Sequence, residues 1–297
     1  MSRPSRAGWS AEEIPLVDPG HVRPSMLSGA RVLRGVVALA HRPTITGLEQ
    51  LPHGPFLLVA NHSGGLGIAE ILSFASLYLE AFGDTRPLAG FAHPMSFRLW
   101  PTSSLLPAIG AIPSTYTHAR ETLRRGVPLL VFPGGDHETL RPVWQHARVD
   151  FGGRTGFLKI AREAGVPIVP MGIRGGALTA PMLVRSRRLA RALVLPHLLG
   201  QKRWGVSLLG ALGVAGLAAL PMPLPAKLLA SALWLGSPLS LLAWIPWTLR
   251  FRIGAPIPPE SLFTAEPGRS EDEVLRAALA RVERAVQSLV TPPEPPR

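Results

Sequence analysis

The apolar residues of this chain follow helical spacing in some stretches and form short continuous runs in others. Helical spacing predicts a helix over residues 25–41, which either faces an interface or packs on the protein's own core. The β-branched start of "PTITG" (43–47) and the apolar run 56–60 predict two strands, the second ending at Asn61 and His62. The ordered part of the chain thus begins with one helix and two strands.

A helix followed by a buried strand then recurs along the middle of the chain. The helices are predicted over 66–82, 115–126 and 156–165, and the strands that follow them over 86–94, 127–135 and 166–173. This alternation is typical of α/β domains. We therefore expect an α/β fold, with a single layered core domain over residues 24–180 and a central, mostly parallel or mixed sheet flanked by helices.

The pattern changes in residues 181–249, which are first basic and then apolar. From 204 to 249 the chain has one charged residue, Lys227, and "PMPLP" (221–225) divides this run into segments of roughly 17 and 22 residues, near the ~20 needed to cross a bilayer. Basic residues at both ends favour a re-entrant or helical hairpin with both ends on the cytoplasmic side. We expect an apolar, helical membrane-docking insertion here, with helices packed on the domain as the alternative.

The remaining segments complete the predicted organisation. Residues 250–291 are expected to supply a C-terminal strand and an amphipathic helix to the core, and Ser270 and Glu273 have the spacing of a capping box. Residues 1–23 are expected to form a loose arm, and the Pro-rich residues 292–297 a disordered tail.

Composition narrows the classes of function and partner. The 297 residues include no cysteine, which excludes disulfides, a cysteine nucleophile and zinc sites of the Cys type. A net charge of +12 points to an anionic partner, and 46% hydrophobic residues with few lysines favour a lipid bilayer over nucleic acid. No secretory signal is recognisable at the N-terminus. We expect the cytoplasmic face of the cell membrane, reached by peripheral or monotopic contact or by a hairpin insertion.

The first candidate for chemistry is His62. A neutral imidazole can take a proton from a hydroxyl near neutral pH. The predicted strand end places His62 on the edge where α/β sheets bind ligands, and Gly64, Gly65 and Gly67 let backbone amides approach a substrate closely. A lone histidine is more often structural, so His62 by itself is only a candidate base.

Two further polar clusters lie next to predicted strands. The first comprises Asp136, His137, Glu138 and Arg141 after "VFPGG", for which a surface turn is the alternative. The second comprises Arg154 and Lys159, which precede a strand and are available for a phosphate or a carboxylate.

The order of four motifs carries a family resemblance. Asn61-His62 after an apolar strand, "GAIPS" (110–114), "FPGG" (132–135) and "VPIVP" (166–170) resemble the four blocks of the glycerolipid or lysophospholipid acyltransferase family, also called PlsC-like. The third block resembles the branch with diacylglycerol acyltransferase-like and phytyl ester synthase-like enzymes. The likeness covers roughly residues 44–175, and its specificity lies in the order of the blocks.

The resemblance implies a reaction and a set of site residues. His62 would deprotonate a hydroxyl of a lipid acceptor, which attacks an acyl thioester carried by coenzyme A or acyl carrier protein as co-substrate, and neither a metal nor another cofactor is needed. The glycine-rich backbone would stabilise the developing oxyanion. The residues expected to bind substrate are Asn61, Ser63, Gly64, Gly65, Pro133, Gly134, Gly135, Glu138, Arg141, Arg154 and Lys159.

The chain departs from the family pattern beside the histidine. The acid that usually orients the imidazole stands five positions later, where this chain has Gly67. Glu70 is the nearest acid downstream, and eight residues of regular helix span about 12 Å, so it reaches His62 only if the glycine-rich turn folds back. We take Glu70 as the partner of His62, with Asp136 or Glu138 as the fallback.

A second departure concerns the acceptor. Gly134 stands where the commoner branch has the glutamate of a glycerol-phosphate site, and "GAIPSTYT" lacks the arginine often found in the second block. Both differences favour a neutral alcohol, such as a glycerolipid or a long-chain alcohol, although Arg141 and Arg154 keep a phosphorylated acceptor open.

Other classes of function fit the sequence less well. A serine hydrolase lacks its Gly-x-Ser-x-Gly or Ser-x-x-Lys motif. A metal-dependent hydrolase using His62, Asp136, His137 and Glu138 lacks a close ligand pair. A catalytically inactive lipid-binding membrane protein of the same fold remains the main alternative, because Gly67 replaces the usual acid. The hypothesis is a membrane-associated O-acyltransferase with His62 as general base.

Overall fold

The computed structural model describes residues 14, 18–193, 195–198, 201–263 and 270–291. The predicted tail 292–297 and most of the predicted arm 1–23 lie outside these residues. The strands are β1 (Thr44–Thr46), β2 (Leu57–Ala60), β3 (Ala89–Ala92), β4 (Ile112–Pro113), β5 (Leu129–Val131), β6 (Ile168–Arg174), β7 (Met182–Ser186), β8 (Trp204–Ser207) and β9 (Arg250–Ile253).

The α-helices lie between these strands and after them. They are α1 (Pro24–His41), α2 (Ile68–Phe82), α3 (Thr102–Ala108), α4 (Tyr116–Arg124), α5 (Asp136–Thr139), α6 (Gly156–Ala164), α7 (Gly176–Thr179), α8 (Arg187–Ala192), α9 (Leu195–Leu198), α10 (Leu208–Ala219), α11 (Leu224–Gly236), α12 (Pro259–Leu262) and α13 (Glu271–Val290).

Seven strands form one mixed sheet in the order β1-β9-β6-β2-β5-β3-β4. All neighbouring pairs are parallel except β6 and β9, which are antiparallel. The carboxyl ends of β2, β5 and β6 therefore lie side by side at one edge of the sheet, which we call the carboxyl edge. The predicted α/β fold with a central mixed sheet flanked by helices is confirmed.

The central strands are buried on both faces because helices cover each side. Side chains alternate along β2, so that Leu57 and Val59 join one core cluster while Leu58 and Ala60 join the other. Helices α4, α6 and α13 contribute to the first cluster, and α2 to the second. The continuous apolar run at 56–60 is explained by this double burial.

Helix α13 matches its sequence signals closely. Ser270 accepts from the backbone N–H of Glu273, and the Glu273 carboxylate accepts from the backbone of Ser270, so the predicted capping box is present. The inward face of α13 is apolar and packs against β6. The described part of the predicted arm lies against the sheet, where the Gly20 N–H donates to the Gly110 carbonyl at 2.7 Å.

The segment after residue 180 differs from the predicted helical insertion because it begins with strands. Strands β7 and β8, which the sequence pattern did not predict, form a separate antiparallel pair, and the helical hairpin α10–α11 rises from β8. These helices have 12 and 13 residues. In the described ranges, no helix has the length and apolarity to cross a membrane.

Candidate functional site

His62 lies just beyond the carboxyl end of β2 and is largely buried, with 9% of its surface exposed. Phe132, directly after β5, stacks on the imidazole with ring centroids 4.2 Å apart. The neighbouring parallel strand thus supplies one wall of the histidine site. Phe132 is part of the FPGG block, but the sequence alone gave no sign of this stacking.

Glu70 is the partner of the imidazole. His62 Nδ1 lies 2.7 Å from Glu70 Oε2, and the carboxylate also accepts from the Ser63 backbone N–H at 3.0 Å and from Ser63 Oγ at 2.6 Å. Glu70 is 1% exposed. Three donors around one buried carboxylate fix its position, and with it the orientation of the imidazole.

The contact forms because the chain reverses direction between His62 and α2. Gly64, Gly65 and Gly67 have φ angles of 75°, 68° and 66°, in the left-handed region that favours glycine. Gly67 precedes the first residue of α2, so Glu70 lies in the first turn of that helix. The glycine-rich turn therefore folds back as the proposed partnership of Glu70 and His62 requires.

Gly67 has a second constraint besides its backbone conformation. A Cβ at this position would overlap the imidazole Cε1 and lie 2.7 Å from Nδ1. Any side chain would collide with the histidine, and an acid at position 67 has no room. The imidazole therefore occupies the space in which the family's usual acid would stand. Glu70 approaches Nδ1 from another direction.

Gly176, at the start of α7, is a site residue that the sequence analysis missed. A Cβ on Gly176 would overlap Glu70 Oε1 and lie 2.7 Å from Ser63 Oγ. The absence of a side chain on Gly176 therefore leaves room for the Glu70 carboxylate. The only sequence signal was the Gly-Gly pair directly after the strand beginning "VPIVP".

Glu138 holds the backbone of the same loop. Its Oε2 accepts from the His62 backbone N–H and its Oε1 from the Asp150 backbone N–H, both at 3.1 Å, with Arg141 Nη2 3.6 Å from Oε1. Burial raises the pKa of Glu138 to about 8, while the N–H donors and the Arg141 guanidinium act in the opposite direction. Glu138 contacts the backbone of His62 and not its ring, so it does not take the fallback role.

The FPGG turn is shaped by its neighbours. A Cβ on Gly134 would overlap Glu138 Cγ and lie 2.5 Å from Cδ, so the glycine makes room for this buried carboxylate. Arg154 donates to the carbonyls of Pro133 at 3.1 Å and Gly134 at 2.7 Å. It also pairs with Asp136, the other fallback acid, which has no contact with the imidazole among the described residues.

Several residues expected to bind substrate use their polar groups within the protein. The Asn61 side chain bridges to β6, with its amide donating to the Ile173 carbonyl at 2.9 Å and its oxygen accepting from the Ile173 N–H at 2.7 Å. Arg141 is buried and donates to the carbonyls of Arg148 and Asp150. Asn61 and Arg141 thus stabilise the walls of the site.

The remaining candidates are placed as follows. Lys159 lies on α6, and no hydrogen bond or ion pair joins it to His62 or Glu70 in the described ranges. His137 contacts Asp150 at 3.1 Å, and burial lowers its pKa, with the Asp150 hydrogen bond acting in the opposite direction. Over the same ranges, no group of three or more His, Cys, Asp or Glu side chains is arranged to hold a metal ion.

The backbone amides of the glycine-rich loop are mostly engaged. The Ser63 N–H donates to Glu70, the Gly65 N–H to the Thr139 carbonyl and the Gly67 N–H to the Gly64 carbonyl. The N–H of Gly64 has no such acceptor among the described residues. Gly64 is itself buried.

A small open pocket adjoins the imidazole. Its lining includes Ser63, Ala177, His146 and Arg148 as well as His62. His146 and Arg148 are exposed at its rim, and the sequence analysis did not select them because they lie outside the four blocks. The arrangement offers a positioned base beside a pocket with cationic and histidine side chains.

Comparison with known proteins gives a family match. Residues 42–174 match the family model described as Acyltransferase. An uncharacterised protein of Mycobacterium tuberculosis is 31% identical over 159 residues, which cover 52% of this chain and 44% of that protein. The family resemblance read from the four blocks is confirmed.

Two relatives with descriptive names belong to the branch expected from the third block. "DGAT1/2-independent enzyme synthesizing storage lipids" of Mus musculus is 29% identical over 137 residues, covering 46% of this chain and 40% of that protein. "Phytyl ester synthase 2, chloroplastic" of Arabidopsis thaliana is 28% identical over 142 residues, covering 44% of this chain and 19% of that protein. This chain spans less than half the length of each of these relatives.

Proposed function

We propose that this chain, whose residues 42–174 form a domain of the Acyltransferase family, transfers a fatty acyl group from a thioester donor to the hydroxyl of a lipid acceptor. The observation that carries the proposal is the buried contact of 2.7 Å between His62 Nδ1 and Glu70 Oε2 at the carboxyl edge. The names of the mouse and Arabidopsis relatives support a lipid product.

The first step is removal of the acceptor's proton. A carboxylate only accepts hydrogen bonds, so Glu70 favours the imidazole tautomer with its proton on Nδ1. The lone pair on Nε2 is then free to accept the hydroxyl proton of the acceptor. As His62 becomes positively charged, the adjacent carboxylate stabilises the imidazolium.

The second step is acyl transfer itself. The acceptor oxygen forms a bond to the thioester carbonyl carbon, and the carbonyl oxygen takes up the negative charge. In this proposal a backbone amide of the glycine-rich loop stabilises that charge. Collapse of the tetrahedral intermediate breaks the carbon–sulfur bond, and the leaving thiolate takes the proton held by His62 Nε2. The histidine returns to its starting state, and the ester and the free thiol are the products.

The arginines near the site support a neutral alcohol as acceptor. Arg141 is buried against Glu138 and two carbonyls, and Arg154 is bonded to the FPGG turn and to Asp136. Their donor groups are therefore largely used by the protein. With Gly134 in place of an acid in the third block, these contacts favour a glycerolipid or a long-chain alcohol over a glycerol phosphate.

The pocket rim supports coenzyme A as the donor carrier. Arg148 pairs with Asp150 at 3.6 Å, but 68% of its side chain is exposed, and it lines the pocket that contains His62 together with His146. A guanidinium placed in this way suits the phosphate groups of acyl-CoA. Acyl carrier protein, whose single phosphopantetheine phosphate would meet the same rim, is the alternative donor.

The test uses the purified chain with radiolabelled acyl-CoA or acyl-ACP as donor and a panel of lysophospholipid, monoacylglycerol, diacylglycerol and long-chain alcohol acceptors. Wild type is expected to label a neutral acceptor best, and His62→Ala to lose the labelling by about 100-fold or more. Wild-type rates from His62→Ala would refute His62 as the base. A chain that labels no acceptor from either donor would instead be an inactive lipid-binding relative.

A further inference from the structure

The helical hairpin α10–α11 has an apolar outer surface that no part of the described chain covers. Its most exposed large side chains are leucines, between 46% and 67% exposed: Leu212, Leu220, Leu224, Leu228, Leu229 and Leu233. Contiguous exposed apolar patches of this kind mark a surface that binds another protein or a membrane. The question is which partner covers it.

The hairpin is a fixed part of the fold. Ser207 Oγ caps α10 and donates to the Ser240 carbonyl, and Trp204 Nε1 donates to the Leu235 carbonyl at 2.6 Å. Trp234 packs on α10 so closely that a Cβ on Gly213 would lie 2.5 Å from its Cε2. The apolar leucines are therefore held outward on a rigid support.

The charge around the hairpin identifies the partner. From Ala164 to Pro259 the sequence has ten arginines and lysines and no aspartate or glutamate. Arg187, Arg188 and Arg191 of α8 are exposed on the unit from which the hairpin rises. Over the described residues no ion pair joins these three arginines to a carboxylate. An apolar hairpin with basic residues beside its foot is complementary to an anionic phospholipid surface.

The length of the hairpin limits how it meets the bilayer. Helices of 12 and 13 residues are about 18 and 20 Å long, against about 30 Å for the hydrocarbon core. The hairpin can enter one leaflet and cannot cross both. Trp244 and Trp247, which follow it and are 43% and 45% exposed, are of the type enriched at the membrane interface.

We propose that α10–α11 inserts its leucine face into one leaflet of an anionic bilayer while the arginines of α8 contact the phospholipid headgroups. The base of the hairpin adjoins the histidine loop, since a Cβ on Gly65 would overlap the carbonyl oxygen of buried Leu241. A docked bilayer therefore lies beside the carboxyl edge. The consequence that a membrane-dissolved acceptor reaches His62 along this face rests on the proposed function.

Docking is measured by flotation of the full chain with vesicles, which needs no acyl transfer. The double variant Leu228→Glu, Leu229→Glu is expected to bind vesicles of phosphatidylcholine with about 30 mol% phosphatidylglycerol at least tenfold more weakly than wild type. Ile109→Glu is the control, because Ile109 is an exposed aliphatic residue just before β4, an edge strand of the seven-stranded sheet, and is not part of the hairpin. It is expected to bind like wild type.

The charge contribution has its own comparison. Wild type is expected to bind vesicles of phosphatidylcholine alone at least tenfold more weakly than the anionic vesicles. The triple variant Arg187→Gln, Arg188→Gln, Arg191→Gln is expected to lose most of this preference. Melting temperatures of all variants verify that they fold.

Two outcomes would overturn the inference. One is equal vesicle binding by the hairpin variant and Ile109→Glu. The other is a dimer in vesicle-free solution that the hairpin variant dissociates, because a second copy of the chain would then cover the leucine face. His62→Ala should float like wild type, so a chain that binds vesicles but transfers no acyl group refutes the proposed function and leaves the docking intact.

Discussion

Replacing Gly67 by alanine isolates the close packing of the glycine turn against His62. Gly67 has a φ of 66°, where a non-glycine residue costs roughly 1–2 kcal/mol. Its Cβ would overlap the imidazole Cε1 and lie 2.7 Å from Nδ1, whereas non-bonded carbon contacts are about 3.5–4.0 Å. The ring must therefore retreat by about 1 Å or more, and its 2.7 Å contact with Glu70 is lost.

The chain offers a matched control at Gly165. This glycine has a φ of 63°, and a Cβ there would meet nothing within 4 Å. Gly165→Ala therefore carries the same backbone strain without the collision. Gly165→Ala is expected to lose roughly 1–2 kcal/mol of unfolding free energy, and Gly67→Ala more than that, because its Cβ also displaces the buried imidazole. Only Gly67→Ala is expected to lose activity, by about 100-fold, which is the typical effect of a 1 Å misplacement of a catalytic group.

The assays are thermal or urea unfolding and initial rates of acyl transfer. Equal activity losses in the two variants would show that backbone strain, and not the imidazole contact, limits the rate. Wild-type activity in Gly67→Ala would refute the placement of His62 against this glycine. Gly67→Asp, which introduces an acid at the family's usual position, is expected to be at least as inactive as Gly67→Ala, because its Cβ meets the same ring.

Three further predictions concern the groups around the base. Glu70→Gln is expected to lower kcat by about 100- to 10,000-fold with little change in KM, since the carboxylate orients the imidazole and supports the imidazolium; a wild-type kcat in a folded Glu70→Gln would leave Glu70 a purely structural residue. The Glu138 pKa of about 8 lies above its unfolded value, so its stabilising contribution is complete below about pH 4.5 and is lost as the pH rises through 8. Unfolding free energy measured from pH 5 to 9 should fall more for wild type than for Glu138→Gln, and parallel curves would contradict the burial effect. Arg148→Gln is expected to raise KM for acyl-CoA about tenfold and to leave the KM for the acceptor unchanged; equal shifts in both would place Arg148 at the acceptor instead.

Local patterns predicted most of the sheet and its helices. The run at 56–60 is a strand because both faces of a central strand are buried, and the capping box at Ser270 and Glu273 starts α13 as its spacing indicates. Each of these signals is complete within a few residues. Strands β7 and β8 gave no such signal, because basic residues occupy the end of β7 and precede β8.

The features of the site also divide into those that the sequence determined and those that only the structure decided. The amino-acid sequence by itself determined that His62 follows a buried strand, that glycines surround it and that the blocks resemble an acyltransferase. Only the tertiary structure decided that Glu70, and neither Asp136 nor Glu138, contacts the imidazole, because the answer depends on the positive φ angles of three glycines in the turn and on space left by Gly176 more than 100 residues away. Spacing along a chain records which residues are neighbours in sequence, whereas the room for a buried carboxylate is set by backbone that arrives from another strand.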